Sequence, residues 1–162
     1  MTIQFTSKKV GELLKEGNLR IPSYQRPYKW NRKHIRNLFY DLRDAMGKKE
    51  YQIGSVILHE ILHEKEKYLD IVDGQQRLIS ISLFLHLLDD LENYKGANQL
   101  LSAEFGELSC YHASENYNEW ENLTQLVGEN QAKDICNFLL ENCSVSVITM
   151  PQERLSEAFQ LF

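Results

Sequence analysis

The 162-residue chain is short of cysteine, of basic excess and of long apolar runs, and each shortage excludes something. Its three cysteines, Cys110, Cys136 and Cys143, are odd in number and form no CxxC pair. That argues against a disulfide framework or a zinc knuckle and leaves buried thiols. Asp and Glu outnumber Lys and Arg by 23 to 18, a net charge of −5. The chain as a whole therefore has no general attraction for nucleic acid or an anionic membrane, and any such binding has to come from a local patch. No apolar run approaches the roughly 18 residues that a membrane span needs. The opening MTIQFTSKK lacks the apolar centre of a signal peptide, so the expected location is the cytoplasm. Internal repeats and low-complexity tracts are also missing.

What remains has ordinary globular composition, 43% hydrophobic and 25% charged. The length suits one domain with a real core, or a core plus an appendage. Apolar periodicity predicts a short strand over 3–5 and a helix capped by Thr6 or Ser7 that carries Val10, Leu13 and Leu14. An extended stretch over 19–21 leads into IPSYQRPYKW, a loop dense in aromatic and polar groups and stiffened by two prolines. Asn31 then caps a helix over 32–46, with Ile35, Leu38, Phe39, Leu42 and Met46 on one face. Strands are predicted over 52–58 and 67–72, and a helix apolar nearly all round over 76–93. Residues 94–114 say little. Helices over 115–127 and 129–142, a strand over 144–150 and a last helix after Pro151 complete the pattern. Interleaved strands and helices make the class α/β or α+β. SEAFQLF stops inside a helical pattern without a cap signal, so the chain is expected to be the N-terminal piece of a longer protein.

The stretch that needs explaining is IVDGQQRLIS, residues 71–80, a polar junction between a strand and an apolar helix. A strand that turns straight into a helix leaves free backbone N–H groups at the positive end of the helix dipole, which favours an anion such as phosphate. Gly74 lets backbone approach a ligand without a Cβ in the way. Arg77 offers a planar fork of donors to phosphate oxygens. Gln75 and Gln76 add neutral donors and acceptors. Asp73 has three open roles: it can hold Mg²⁺, orient a water or bond a ribose hydroxyl. The plainer alternative is a helix start with Asp73 as N-cap and Arg77 on the surface. Against it stands a second polar cluster, Tyr24, Gln25 and Arg26, of the same residue types in a separate loop.

Together, IPSYQRPYKW and IVDGQQRL resemble the N-terminal domain of GmrSD-type restriction endonucleases and related phage-defence proteins, whose hallmark motifs are YQR-x-Y-x-W and DGQQR, joined here by GSVIL at 54–58. The resemblance covers 21–88 well and the rest loosely. It implies a ParB/sulfiredoxin-like fold, with residues 1–95 as the nucleotide-binding core and 96–162 as a mainly helical extension with one strand. It further implies binding and hydrolysis of a nucleoside triphosphate with Mg²⁺, and a C-terminal His-Asn-His nuclease domain, missing here, through which the whole protein attacks foreign or modified DNA. Carried over by position, Gln25, Arg26, Gly74, Gln75 and Arg77 bind the nucleotide, while Asp73 and Gln76 serve catalysis, Asp73 through metal or water. Two departures stand out. The family continues DGQQR as Leu-Thr-Thr-Leu, where this chain has Leu78-Ile79-Ser80-Ile81, keeping one hydroxyl of two. The chain also stops at Phe162, before a polar segment typical of the family.

Other signals carry plainer explanations. His59-Glu60-Ile61-Leu62-His63 matches the HExxH zinc signature, but that signature needs a helix, and GSVIL and YLDIV bracket it as strands. A polar hairpin connection with solvated His and Glu is expected instead. Lys29, Arg32, Lys33 and Arg36 form a basic cluster that is either a solvated face or a contact for phosphate or a nucleic-acid backbone. Tyr24, Tyr28 and Trp30 are expected to pack under their loop, with base stacking as the other use. His86 and Phe84 belong to the core, and Asp89, Asp90 and Glu92 to a solvated helix end. The leading function is an NTP-binding and hydrolysing domain that controls a nuclease. The runner-up is a non-catalytic module that senses a nucleotide or modified DNA. The third reading is a zinc peptidase.

Overall fold

A computed structural model describes residues 3–22, 27–105 and 111–152. Five strands and six α-helices are present among them. The strands are β1 (Gln4–Lys9), β2 (Leu19–Arg20), β3 (Tyr51–His63), β4 (Glu66–Asp73) and β5 (Cys143–Met150). The helices are α1 (Val10–Lys15), α2 (Arg32–Ala45), α3 (Gln75–Leu87), α4 (Lys95–Phe105), α5 (Tyr111–Val127) and α6 (Glu129–Glu141). The strands form one mixed sheet in the order β1-β5-β3-β4-β2. β3 and β4 make an antiparallel hairpin. Its turn residues, Glu64 and Lys65, both have positive φ (50° and 73°), the signature of a two-residue turn matched to strand twist. β5 runs parallel to β3 and antiparallel to β1, and β2 runs parallel to β4.

Sequence periodicity explains most of these elements. α2 buries Ile35, Leu38, Phe39, Leu42 and Ala45 on one face. Its start is a capping box: the Asn31 side chain accepts from Lys33 N and His34 N, and His34 Nδ1 accepts from Asn31 N. α3 is buried on nearly every side because α4 and α5 pack against it and its apolar residues share one core with Val56, Leu58 and Ile71 of the sheet. Its two serines are tolerable there because each hydroxyl donates four residues back, Ser80 to Gln76 O and Ser82 to Leu78 O, both at 2.8 Å.

Several expectations need correction. The first strand does not end near residue 5. It continues to Lys9, held by pairing with β5, so Thr6 and Ser7 are strand residues and not helix caps. The long helix stops at Leu87, where Asp89 (φ 62°) turns the chain into a short 3-10 turn at Leu91–Asn93. The uninformative stretch after Tyr94 contains α4 and the start of α5. The strand expected in the segment 96–162, β5, is an interior strand of the sheet, between β1 and β3. The helix expected after Pro151 and the thiol of Cys110 fall outside the described residues. No helix among the described residues is long and apolar enough to cross a membrane.

Candidate functional site

The DGQQR turn stands where the sequence placed it, at the exit of β4, but its parts are used differently. Asp73 is the last residue of β4, and the N-cap of α3 is Gly74, with φ 104° and no side-chain cap. Asp73 is therefore not the cap. A Cβ on Gly74 would meet Val56 Cγ2 at 3.1 Å and Ser55 O at 3.3 Å, so the turn demands glycine both for its φ and for its packing on β3. The first intrahelical bond runs from Leu78 N to Gly74 O at 3.2 Å. The N–H groups of Gln76 and Arg77 thus lack a partner within the helix. Gln75 is itself buried.

Gln76 ties the two motifs together. Its Oε1 accepts from Lys29 N (2.8 Å) and Trp30 N (3.1 Å), and its Nε2 donates to Pro27 O (3.2 Å). Below this clip, Tyr28 is 2% exposed and its hydroxyl lies 2.6 Å from Ser80 Oγ. Asn116 of α5 donates through Nδ2 to both Tyr28 Oη (2.8 Å) and Trp30 O (2.7 Å). Tyr28 therefore packs under its loop. Ser80, the one hydroxyl retained after DGQQR, secures it. Gln25, Arg26 and Tyr24 lie outside the described residues, so only the 27–30 flank of the first motif is placed, and it sits on α3.

Arg77 does not lie on an open surface. Its half-buried guanidinium rests on Gly54 of β3 and 6.0 Å from the centre of the Trp30 ring. Trp30 stacks in turn on His34, 5.1 Å between centroids and 16° between planes. A Cβ at residue 54 would come within 2.5 Å of Arg77 Nη1. Gly54 has φ 142° and follows a register shift in the β3–β5 pairing, a bulge that makes room for the arginine. Burial lowers the Arg77 pKa from its ordinary value, and the charge of Asp73 opposes that shift. The guanidinium still stays cationic at neutral pH. Among the described residues it has neither a hydrogen-bond acceptor nor a carboxylate within ion-pair distance. It forms one end of a groove of about 280 Å³ between α2 and the start of β3.

The remaining candidates resolve separately. Arg32 pairs with Glu115 (3.3 Å) and Glu119 (3.2 Å), and Arg36 with Glu119 (3.3 Å), so half of the basic cluster is neutralised by α5. HEILH lies on β3. Four positions apart on a strand, His59 and His63 stand about 13 Å from each other, too far to share one metal. His59 is not solvated as expected: it is 3% exposed, with Nε2 2.8 Å from Gln152 O. No group of three or more His, Cys, Asp or Glu among the described residues could hold a metal ion. His86, expected in the core, is instead exposed beside Tyr117, because α3 leaves the core at its last turn, whereas Phe84 stacks on Trp120 deep in the core. Sequence reasoning missed Asn116, Glu119 and the Trp30–His34 stack. Only the GSVIL glycine carried a readable hint of the arginine cradle.

Curated proteins offer no match to the chain. A family model does: the GmrSD restriction endonuclease N-terminal domain aligns with residues 10–162, nearly the whole chain. With the 27–30 flank of its first motif clipped to the second through Gln76, beside a mixed five-stranded sheet, this chain belongs to the family of GmrSD restriction endonuclease N-terminal domains.

Proposed function

We propose that the chain is the nucleoside-triphosphate-binding and hydrolysing domain of a GmrSD-like DNA restriction protein, with a ParB-like nucleotide core, acting in the cytoplasm to control a His-Asn-His nuclease domain elsewhere in the protein. The observation that carries this reading is the half-buried guanidinium of Arg77, held by Gly54 and Trp30 with no acceptor among the described residues. A buried cation without an anion is costly, and a phosphate group relieves that cost. The start of α3, at the positive end of the helix dipole, favours the same ligand.

Arg77 and Arg26 bind the phosphates, with Gln25, Gly74 and Gln75 around them. Asp73 has a carboxylate that takes no hydrogen bond from the described residues. A single carboxylate suits Mg²⁺, which takes its other ligands from phosphates and water, and the ion would neutralise phosphate charge. Asp73 also suits the orientation of an attacking water. Gln76 is a positioning residue, because its amide already holds the 27–30 backbone. That occupation favours a second reading, a non-catalytic nucleotide or modified-DNA sensor, since it removes one side chain from direct work on the phosphates.

A phosphate-release assay with each of the four nucleoside triphosphates and Mg²⁺ separates the two readings. Turnover that Arg77→Ala abolishes supports hydrolysis. Binding without turnover supports the sensor. The absence of any nucleotide binding would remove both.

A further inference from the structure

The groove beyond Arg77 has a chemical polarity of its own. Its floor is apolar, formed by Leu38 of α2 and Ile53 of β3, and Tyr51 adds an aromatic wall. Arg77 stands at the Trp30 end. Towards the other end, α2 presents Asn37 and Asp41, both exposed and neither bonded to another described residue. Residues four apart on a helix share a face and lie about 5–6 Å from each other, so the amide and the carboxylate point at one ligand edge. Asp41 stands seven residues beyond His34, about 10 Å along the helix axis. A ligand that bridges the two ends is anionic at one end and rich in hydrogen-bond donors at the other.

We infer that this groove selects guanine, with Asp41 accepting from the guanine N1–H and N2–H groups and Asn37 donating to O6. The inference rests on the nucleotide reading above and adds the base to it. The chemistry is restrictive because an ionised carboxylate only accepts. Guanine places two adjacent donors beside a carbonyl on one edge. Adenine and cytosine each set a ring-nitrogen lone pair beside their amino group, which faces a carboxylate with repulsion. Uracil sets a carbonyl on each side of its single N–H. A site that hydrogen-bonds one base edge rejects analogues mainly by leaving its own polar groups unpaired. A base lodged over Leu38 and Ile53 against Tyr51 also covers the apolar floor.

The test is calorimetric titration of the 162-residue chain, with Mg²⁺, using the β,γ-methylene triphosphates of guanosine, adenosine and xanthosine, and inorganic tripolyphosphate. Xanthine carries a carbonyl where guanine carries its amino group, so it fits an amide in place of the carboxylate. The wild type is expected to prefer the guanosine compound by about tenfold or more. Asp41→Asn, at an exposed position, should reverse the order in favour of the xanthosine compound. Equal affinity for all three bases with tripolyphosphate still bound overturns the guanine assignment and leaves the phosphate site standing. So does a guanine preference that Asp41→Asn leaves unchanged. Failure of tripolyphosphate and every nucleotide to bind overturns the phosphate site, and the guanine assignment with it.

Discussion

The guanidinium of Arg77 occupies the space that a side chain at Gly54 would need, with Nη1 2.5 Å from the position of a Cβ there. Two segments 23 residues apart in sequence are thereby made dependent on each other. Gly54→Ala should act in two ways. The φ of 142° becomes strained, at about 1–3 kcal/mol, and the flexible end of Arg77 is pushed from its seat. A thermal melt should show the first effect. Loss of triphosphate affinity matching that of Arg77→Ala should show the second.

Arg77→Ala itself should change binding more than folding, because the guanidinium has no hydrogen bond to the described residues. Loss of a charged hydrogen bond to phosphate costs about 1.5–3 kcal/mol, about ten- to a hundredfold in affinity. Asp73→Ala should spare binding and suppress turnover, with little change in melting temperature, because Gly74 and not Asp73 occupies the cap position. A large fall in melting temperature with unchanged turnover would contradict this role for Asp73.

Gln76→Ala should release the 27–30 flank and leave two backbone N–H groups without their acceptor, at about 1–3 kcal/mol. Gln76→Glu keeps the acceptor and loses only the donor to Pro27 O, so it should fall between wild type and Gln76→Ala in stability. Melting curves rank the three. Equal melting of Gln76→Ala and wild type, with turnover lost, would instead make Gln76 a direct participant.

Tyr28, Ser80 and Asn116 form one buried network. Tyr28→Phe and Ser80→Ala should each destabilise by about 1–3 kcal/mol. The double variant should cost less than their sum, since each single change already breaks the shared bond. Chemical denaturation of all four proteins gives the coupling directly.

Burial pushes the thiols of Cys136 and Cys143 up to about 12, from an ordinary value of 9.0. Between those values the unfolded chain loses the two protons and the folded chain keeps them. Stability is therefore full below about pH 9 and is lost as pH rises toward about 12. Cys136→Ala and Cys143→Ala should each flatten that alkaline decline. Both thiols should resist alkylation at neutral pH until the protein is unfolded, which a mass-based labelling assay detects.

Local pattern alone determined much of this protein. The stripe of Ile35, Leu38, Phe39 and Leu42, the Asn31 cap, the all-apolar α3 and the β3–β4 pair were legible because they depend on neighbours within a few residues, where period and capping chemistry operate. Of the segment that carries the first motif, only the 27–30 flank is described, and Gln76 joins it to DGQQR. Tertiary structure decided the rest. Whether β5 lies at an edge or in the centre depends on pairing across about 90 residues, which periodicity does not encode. Arg32 and Arg36 read as a basic patch until α5 brings Glu115 and Glu119 alongside them. His59 read as solvated because the strand was expected to end before it, yet β3 carries it to its partner Gln152. Arg77 became a seated cation, unpaired among the described residues, because a bulge 23 residues upstream leaves a glycine-sized space beneath it, a complementarity of shape that exists only once the strand and the helix have packed.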